Sequence, residues 1–367
     1  MSTPPRTGHP YYMYEEMLAQ PDALAHLLAA DSQQRDDLAK LLAGKTRLFL
    51  TGCGTALHAA LAGEHLLRAF TDGRRGTRAF QAFELERYGP NMDAQTALIV
   101  LSYSGTAMAT VRAMQRAKQE GAFCLVITDF PNTPAGTDAD AILPLHYPQQ
   151  RSAVYTVSYT LMVALIADLG WRIARHLPEN VHVKMLTGQV PHMPQFVREM
   201  LPVEAQVRQL AERYQSRQRW WFLGGGPNSV TASEAALKMM EANYTAATGM
   251  QIEEFIHGPI SSLSENDVVV VIAPHGPSHE RAVDILKAAQ IIGAETIVLA
   301  EEPDTATSEL ATHALTLPVC SEVLSPLPAI VPLQFLAYHL SLLRGVNPDT
   351  IHRHDERYLK ARQGYIR

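Results

Sequence analysis

Cysteine, charge and long apolar runs are all scarce in this chain of 367 residues. The three cysteines, Cys53, Cys124 and Cys320, are too few and too widely spaced for a disulfide framework, and they indicate separate thiols in a reducing compartment. Charged residues make up 19%, and the net charge of -6 comes without a long basic run, which argues against a nucleic-acid partner. No apolar run approaches the roughly 20 residues that span a bilayer, and the N-terminus has no apolar signal segment. We therefore expect a cytoplasmic protein with no membrane partner.

Sequence signatures of bound cofactors and metals are missing as well. The GCGTA motif at residues 52–56 lacks the third glycine of a dinucleotide-binding fingerprint, and no phosphate-binding Walker A motif occurs. There is no HExxH or CxxC motif, and the histidines show no metal-ligand spacing. The sequence therefore predicts a protein that uses neither a metal nor a cofactor.

Two stretches of the chain share one pattern, in which a short apolar strand leads through glycines into a helix. The first, RLFLTGCGTALHAAL, begins at Arg47, and the second, RWWFLGGGPNSVTASEAAL, begins at Arg219. Two later apolar strands, TALIVL and CLVI, have counterparts in DVVVVI and ETIVL, and corresponding positions lie about 170 residues apart. A repeat of this length predicts two similar domains.

Apolar strands that alternate with helices predict parallel sheets with helices on both faces. The sequence thus predicts an α/β protein of two tandem flavodoxin-like domains, each with three layers. The expected segments are an N-terminal helical segment (1–44), a first domain (45–185), a linker (186–214), a second domain (215–345) and a C-terminal tail (346–367). Within the first segment, an amphipathic helix is expected from Tyr11 to Leu28, followed by polar residues around Asp31 to Asp37.

One loop of the first domain has the composition of an anion site. Ser102, Tyr103, Ser104, Gly105 and Thr106 follow an apolar strand and precede a helix, so we expect them at the carboxyl edge of the sheet. Their hydroxyl groups and the helix N-terminus can donate hydrogen bonds to a phosphate. The alternative is ordinary capping of the helix by a serine or threonine, and the residues alone leave both possibilities open.

A helical segment of the second domain carries several ionisable residues. Glu234, Lys238 and Glu241 are spaced four and three residues apart, which places them on one helical face. A solvated Glu–Lys pair is the alternative, but the neighbouring residues are apolar or small, and charges on a largely buried helix need partners or a function. His257 follows in a His-Gly-Pro turn, where a lone histidine is more often structural than catalytic.

Three motifs, GCGTALHAAL, LSYSGTA and EAALKMMEANYTAATGMQIEEFIHGP, resemble those of the sugar isomerase (SIS) domain family. The similarity runs from about Met13 to the C-terminus. It is strongest to the tandem-SIS isomerase half of glucosamine-6-phosphate synthase and to its stand-alone relatives, which include amino-sugar-phosphate deaminases and fructosamine-6-phosphate deglycases. The resemblance implies a homodimer that acts on a phosphorylated hexosamine or ketose.

The resemblance also implies a role for each matching ionisable residue. Glu241 matches the general base that moves a proton between C1 and C2 of the open-chain sugar phosphate. His257 matches the histidine that opens the sugar ring, which the partner subunit contributes in that family. Glu234 and Lys238 match the polar pair beside the base. Lys360 lies one position from the lysine with which the synthase forms a Schiff base.

The implied substrate- and phosphate-binding residues are Thr55, Ser102, Tyr103, Ser104 and Thr106. Three positions depart from the synthase pattern. Tyr103 replaces a glutamine. Ala56 replaces a serine that contacts the sugar phosphate, and Ala107 replaces a threonine of the phosphate loop. The phosphate site is therefore expected to be altered but retained.

The amidotransferase half of the synthase has no counterpart in this sequence. We therefore expect deamination of glucosamine 6-phosphate to fructose 6-phosphate and ammonia, coupled to aldose–ketose isomerisation. One alternative is deglycation of a fructosamine 6-phosphate, for which Ala56 and Ala107 would leave a roomier pocket. Another is a sugar-phosphate sensor that binds without turnover.

Overall fold

The computed structural model describes residues 6–302 and 304–365, and these form two compact units with one sheet each. The first unit comprises Ala19–Gln150, Val157–Pro194 and the residues from His352 onward. The second unit comprises the residues up to Leu18, together with Arg151–Thr156 and Gln195–Ile351. The segment boundaries expected from the sequence stay predictions.

The sheet of the first unit has five parallel strands in the order β2-β1-β3-β4-β5. They are β1 (Arg47–Gly52), β2 (Gly76–Gln81), β3 (Thr96–Leu101), β4 (Phe123–Ile127) and β5 (Ala141–Leu143). The central strand β3 is buried along its whole length, as expected for a parallel sheet covered on both faces. Leu98, Val100 and Val126 are among the side chains that form the core on one face.

The sheet of the second unit repeats this order as β7-β6-β8-β9-β10, again with all pairings parallel. Its strands are β6 (Trp220–Gly224), β7 (Ala247–Gln251), β8 (Val268–Ile272), β9 (Glu295–Glu301) and β10 (His313–Leu317). The two matching strand orders confirm the predicted class of two tandem flavodoxin-like α/β domains.

Helices flank both sheets. Before and around the first sheet they are α1 (Tyr12–Ala29), α2 (Ser32–Ala43), α3 (Thr55–Phe70), α4 (Ala82–Tyr88), α5 (Met108–Gln119), α6 (Pro134–Asp138), α7 (Val157–Ala174) and α8 (Val181–Thr187). Later in the chain they are α9 (Met193–Glu199), α10 (Glu204–Tyr214), α11 (Pro227–Asn243), α12 (Ile252–Ile256), α13 (His279–Ile292), α14 (Thr305–Ser308), α15 (Pro326–Leu343) and α16 (Glu356–Tyr365).

Two of these helices, α7 and α15, are long and apolar enough to cross a membrane by length and composition. In each, 89% of the apolar window is buried inside the fold. They are core helices of the two units, and neither was evident as a single apolar run because polar residues interrupt both sequences.

The structure changes two local expectations. The polar residues after α1 do not end the helical segment but form the first half of α2, whose Arg35 is buried and pairs with Asp168 at 2.9 Å. The beginning of the tail is packed as well. Asp349 is 8% exposed, and its carboxylate accepts hydrogen bonds from the Tyr12 and Met13 amides at the start of α1. A carboxylate at this position accepts hydrogen bonds from amides that have no partner within the helix, and its negative charge interacts favourably with the helix dipole.

Candidate active site

Helix α11 carries the ionisable residues predicted to lie on one helical face. It begins at Pro227, directly after the glycine turn that follows β6, in keeping with the strand–glycine–helix pattern of the sequence. Glu234 and Lys238 are 0% exposed, whereas the side chain of Glu241 is 26% exposed. Solvent exposure therefore differs along the helix: two charged groups lie in the interior, and one carboxylate is accessible to solvent.

The ammonium group of Lys238 holds these residues together. Its Nζ atom lies 3.2 Å from Oε1 of Glu234 and 2.6 Å from Oε2 of Glu241. It also donates a hydrogen bond of 3.0 Å to the carbonyl oxygen of Tyr155. These acceptors compensate the positive charge of the ammonium group in the interior.

The electrostatic balance of this cluster favours the charged lysine. Burial opposes the charged form of Lys238, but the charges of Glu234 and Glu241 and their hydrogen bonds outweigh it and raise the pKa of the lysine above its ordinary value. Lys238 is therefore a fixed cation at neutral pH. Such a cation is suited to orienting a carboxylate rather than to giving up a proton.

Glu241 is the member of the cluster suited to proton transfer. Lys238 binds its Oε2 atom, and within the described residues no hydrogen bond is made by Oε1. A carboxylate held at one oxygen and open at the other can reach a carbon-bound proton of a small substrate. The geometry agrees with the role that the sequence assigns to Glu241, which stays a prediction.

His257 stands apart from this cluster. It follows α12, its side chain is 68% exposed, and its Nε2 atom lies 3.2 Å from Oε1 of Glu253. In the described part of the chain, no hydrogen bond or ion pair joins His257 to Glu241. An imidazole this exposed is available to a second molecule, as the expected contribution to a partner subunit requires.

The hydroxyl loop, residues 102–106, connects β3 to α5 in the first unit. The Oγ of Ser104 and the Oγ1 of Thr106 lie 2.9 Å apart, and the Thr106 amide donates to Ser104 Oγ at 3.4 Å. The N-cap of α5 is Ala107, which provides no side-chain cap. The hydroxyl groups therefore do not cap the helix, and its first amides are left available to an anion.

Gly105 shapes the hydroxyl loop. Its φ of +65° lies in the left-handed region, and a Cβ atom there would lie 2.0 Å from Oγ1 of Thr133. Buried Tyr103 fixes the other side of the loop, because its hydroxyl donates to the carbonyl of Tyr147 at 2.9 Å and accepts from the Gln150 amide at 3.1 Å. The Tyr103 side chain is thus engaged in holding the loop.

Two further predicted site residues have different surroundings. Thr55 is 7% exposed and begins α3, at the carboxyl edge of β1. Lys360 lies on α16, with its side chain 76% exposed and its Nζ atom 3.5 Å from Glu356 Oε2. Lys360 is therefore a solvent-exposed amine, and its proposed Schiff-base function stays a prediction.

The segment Arg151–Thr156 was not identified from the sequence, although it supplies the Tyr155 carbonyl that binds Lys238. Its first two amides, of Arg151 and Ser152, donate to the buried side chain of Glu16. No local pattern signals these contacts, because they join residues far apart in the chain.

A cavity of about 450 Å³ opens at the carboxyl edge of the second sheet. Its charged lining residues are Glu253, Glu280, Arg281, Asp284 and Glu322. Carboxyl groups outnumber the single arginine, and burial raises the pKa of Glu322. The cavity is therefore poorly suited to a phosphate, in contrast to the hydroxyl loop after the corresponding strand of the first sheet.

The three thiols are free. Burial raises the pKa of Cys124 and of Cys320 to about 12, and it raises the pKa of Cys53 as well. None of them is a thiolate nucleophile near neutral pH.

Comparison with known families identifies the fold that carries these groups. The model of the SIS domain matches residues 41–169 and again residues 214–344. The chain belongs to the SIS domain family. The duplicated match agrees with the two sheets of the structure and with the resemblance seen in the sequence.

Curated SIS relatives are about 30% identical to this chain over the residues that align. The isomerizing glutamine–fructose-6-phosphate aminotransferase of Pyrococcus horikoshii is 31% identical over 343 residues, which cover 93% of this chain and 56% of that protein. The enzyme of the same name from Thermus thermophilus is 30% identical over 352 residues, with 93% and 58% covered. The chain thus spans a little over half the length of these relatives.

Solved structures show the same SIS fold at lower identity. The C-terminal domain of glucosamine-fructose-6-phosphate aminotransferase from Francisella tularensis superimposes with a TM-score of 0.85 at 20% identity, covering 94% of this chain and 99% of that one. Glucosamine-6-phosphate deaminase from Thermotoga maritima gives a TM-score of 0.72 at 19% identity, covering 92% and 97%.

Proposed function

We propose that this SIS protein is an amino-sugar phosphate isomerase and deaminase, which converts glucosamine 6-phosphate and water to fructose 6-phosphate and ammonia. One observation carries the proposal: Glu241 is a partly exposed carboxylate that a buried ammonium group holds by one oxygen. The family and the names of the relatives indicate phosphorylated hexoses and their amines as the substrate class.

The proposed reaction needs only proton transfers and water. His257 moves the proton that opens the sugar ring, and we propose that it does so from the partner subunit of a homodimer. Glu241 takes the proton from C2 of the open-chain aldehyde and returns it to C1, while water carries a second proton from the amine nitrogen to O1, so that a hydroxymethyl group forms at C1 and an imine at C2. Water adds to this imine and ammonia leaves, so that C2 becomes the ketone of fructose 6-phosphate and Glu241 is regenerated.

The other groups bind and orient. The hydroxyl loop would hold the phosphate, because its hydroxyl groups and the uncapped start of α5 donate hydrogen bonds. A fixed phosphate supplies binding energy away from the reacting carbons. Lys238 keeps the Glu241 carboxylate in one orientation, and Glu234 keeps the lysine charged.

Release of ammonia and formation of fructose 6-phosphate from glucosamine 6-phosphate test the proposal. We expect turnover by the purified protein, and a loss of about 10²- to 10⁴-fold in Glu241→Gln, which keeps the shape but not the base. Glu212→Gln, which changes an exposed carboxylate on α10, is the matched control and should turn over like the parent.

Two other results would reject deamination. Release of a free amino acid from a fructosamine 6-phosphate, without ammonia from glucosamine 6-phosphate, would assign a deglycase. A thermal shift with sugar phosphates but no product of either kind would assign a sensor.

A further inference from the structure

Glu16 is a buried carboxyl group for which the proposed chemistry has no use. It lies on α1 and is 0% exposed. Its Oε1 atom accepts hydrogen bonds from the backbone amides of Arg151 at 2.5 Å and Ser152 at 3.1 Å. Its Oε2 atom is also buried and has no hydrogen-bond partner among the described residues. Burying a carboxyl group with an unbonded oxygen costs free energy, and the contacts of Glu16 therefore need a structural or functional reason.

Glu16 binds the first two amides of the segment Arg151–Thr156, and a carbonyl near the other end of that segment binds Lys238. The next two amides are also bonded, Ala153 to the Asp349 carbonyl at 2.9 Å and Val154 to Ser152 Oγ at 3.2 Å. The carbonyl that follows, of Tyr155, accepts from the Lys238 ammonium at 3.0 Å. Successive backbone groups of this segment are therefore fixed between Glu16 and Lys238.

The helix that carries Glu16 is itself anchored to this segment. The Asp349 carboxylate binds the first amides of α1, and the Asp349 carbonyl binds Ala153. Glu16 thus acts from a fixed position. Between Glu16 and the Tyr155 carbonyl lies a short stretch of backbone in which the amides of residues 151–154 are all hydrogen-bonded.

We propose that Glu16 is a positioning residue for proton transfer: it fixes the segment Arg151–Thr156, so that the Tyr155 carbonyl holds the Lys238 ammonium against Glu241. The inference rests on the proposed function of Glu241. Without the carbonyl, the Lys238 ammonium group would lose a backbone acceptor, and its position against Glu241 would be less firmly held. The Glu241 carboxylate would then lose its single orientation.

The charge state of Glu16 gives this role a pH signature. Burial raises its pKa to about 8, and the negative charge of Asp349 adds to this, whereas the Arg151 and Ser152 amides and the Arg151 charge oppose it. Asp349 and Arg151 are the charged groups with the largest effects on Glu16. Above that pH the carboxylate accepts its two amide hydrogen bonds more strongly, so the segment should be held differently on the two sides of pH 8.

Three variants test the inference by steady-state kinetics. In Glu16→Ala, which removes the acceptor, we expect kcat to fall about 10- to 100-fold with KM changed less than about twofold. In Glu16→Gln, whose amide oxygen accepts the same two hydrogen bonds, we expect parental kcat at pH 7 and loss of the change in kcat near pH 8. Glu15→Gln is the matched control, because in the part of the chain that the structure describes the Glu15 carboxylate pairs with the side chains of Arg6 and Arg151 and not with the backbone of the segment.

The kinetic outcomes are decisive in both directions. A folded Glu16→Ala variant with parental kcat, or with a raised KM alone, overturns the inference. If Glu16→Ala does not fold, Glu16→Gln decides: a pH profile that still changes near pH 8 overturns it, and a profile that has lost this change supports it.

A readout without turnover separates this inference from the proposed function. If the parent protein turns over no sugar phosphate, the proposed function fails, and hydrogen–deuterium exchange of the peptide that contains Arg151–Thr156 tests the contact itself. We expect about tenfold faster exchange in Glu16→Ala than in the parent or in Glu15→Gln, since the exchange of these amides reports their local opening. Equal exchange in all three proteins would overturn the positioning role.

Discussion

The Nζ atom of Lys238 lies 2.6 Å from Oε2 of Glu241, although the lysine side chain is fully buried and that of the glutamate is 26% exposed. A buried cation and a solvent-accessible carboxylate therefore form one unit. Because Lys238 is buried, its ammonium group cannot exchange its acceptors for water, and it keeps the Glu241 carboxylate in a fixed orientation. This is the arrangement expected of a carboxylate that must meet a substrate carbon at a defined angle.

Removing the ammonium group should destabilise the protein strongly. In Lys238→Met, the carboxylate of Glu234 is left in the interior without its cation, so we expect the free energy of unfolding to fall by about 3–5 kcal/mol. Urea unfolding followed by circular dichroism measures this. Lys118→Met is the control, because Lys118 pairs with Asp140 near the surface at 3.0 Å, and it should lose about 1 kcal/mol or less. Equal losses in the two variants would contradict the structure.

The shape of the hydroxyl loop is tested by Gly105→Ala. We expect it to abolish binding of inorganic phosphate, measured by thermal shift and calorimetry, because the added Cβ would collide with Thr133 and displace the loop. Gly73→Ala is matched to it, since Gly73 has a similar φ of +67° but no atom within 4 Å of the added Cβ. The control should lose only about 1–2 kcal/mol of stability and keep its phosphate affinity. If Gly105→Ala binds phosphate with parental affinity, the hydroxyl loop does not form the phosphate site.

The buried parts of the fold and the α11 cluster were predictable because their signals are local. Central strands such as β3 are continuous apolar runs, and Glu234, Lys238 and Glu241 share a face through helical spacing alone. The edge strands were missed for the opposite reason. In β2 and β7 all residues are exposed or half-buried, and neither sequence forms an apolar run.

Contacts that join distant segments lie beyond local patterns. The bond from Arg151 to Glu16 spans 135 residues, and the bond from Lys238 to Tyr155 spans 83. No spacing rule pairs such positions, and a glutamate in an amphipathic helix gives no sign that it will be fully buried. For the same reason, the polar residues after α1 did not suggest a second helix. Burial of Arg35 in α2 depends on Asp168, far along the chain.

Mixing two inactive variants tests whether His257 acts across a homodimer. Glu241→Gln lacks the base and His257→Ala lacks the ring-opening group, so each should be inactive alone. If the two groups of one site come from different subunits, each mixed dimer has one intact site. Random exchange of subunits at equal concentrations makes half of all dimers mixed, and about a quarter of parental activity should return. No recovery after verified subunit exchange would place both groups in one subunit. His257→Ala should leave stability within about 0.5 kcal/mol, because the side chain is exposed.

The buried carboxyl of Glu16 should make stability fall as the pH rises. Its pKa is raised from 4.5 to about 8 by burial, so between these values the folded protein keeps a proton that the unfolded chain has released. The stability that this proton provides is complete below pH 4.5 and is lost progressively up to pH 8, by at most about 1.4 kcal/mol per pH unit. Glu16→Gln cannot ionise, so its stability should fall less than that of the parent between pH 5 and 8, and the two should run parallel above pH 9.

Urea midpoints from pH 5 to 9 measure this difference, and Glu15→Gln provides a control of opposite sign. Burial is the largest single influence on the pKa of Glu15 and raises it, but the hydrogen bonds and charges of Arg6 and Arg151 together outweigh burial and lower the pKa below its ordinary value. The contribution of Glu15 to stability is therefore lost only on acidification below that range. The Glu15→Gln curve should therefore stay parallel to the parent from pH 5 to 9. If the Glu16→Gln curve is parallel as well, the Glu16 carboxyl group ionises at an ordinary pKa, and the pH signature assigned to the Arg151–Thr156 segment is lost with it.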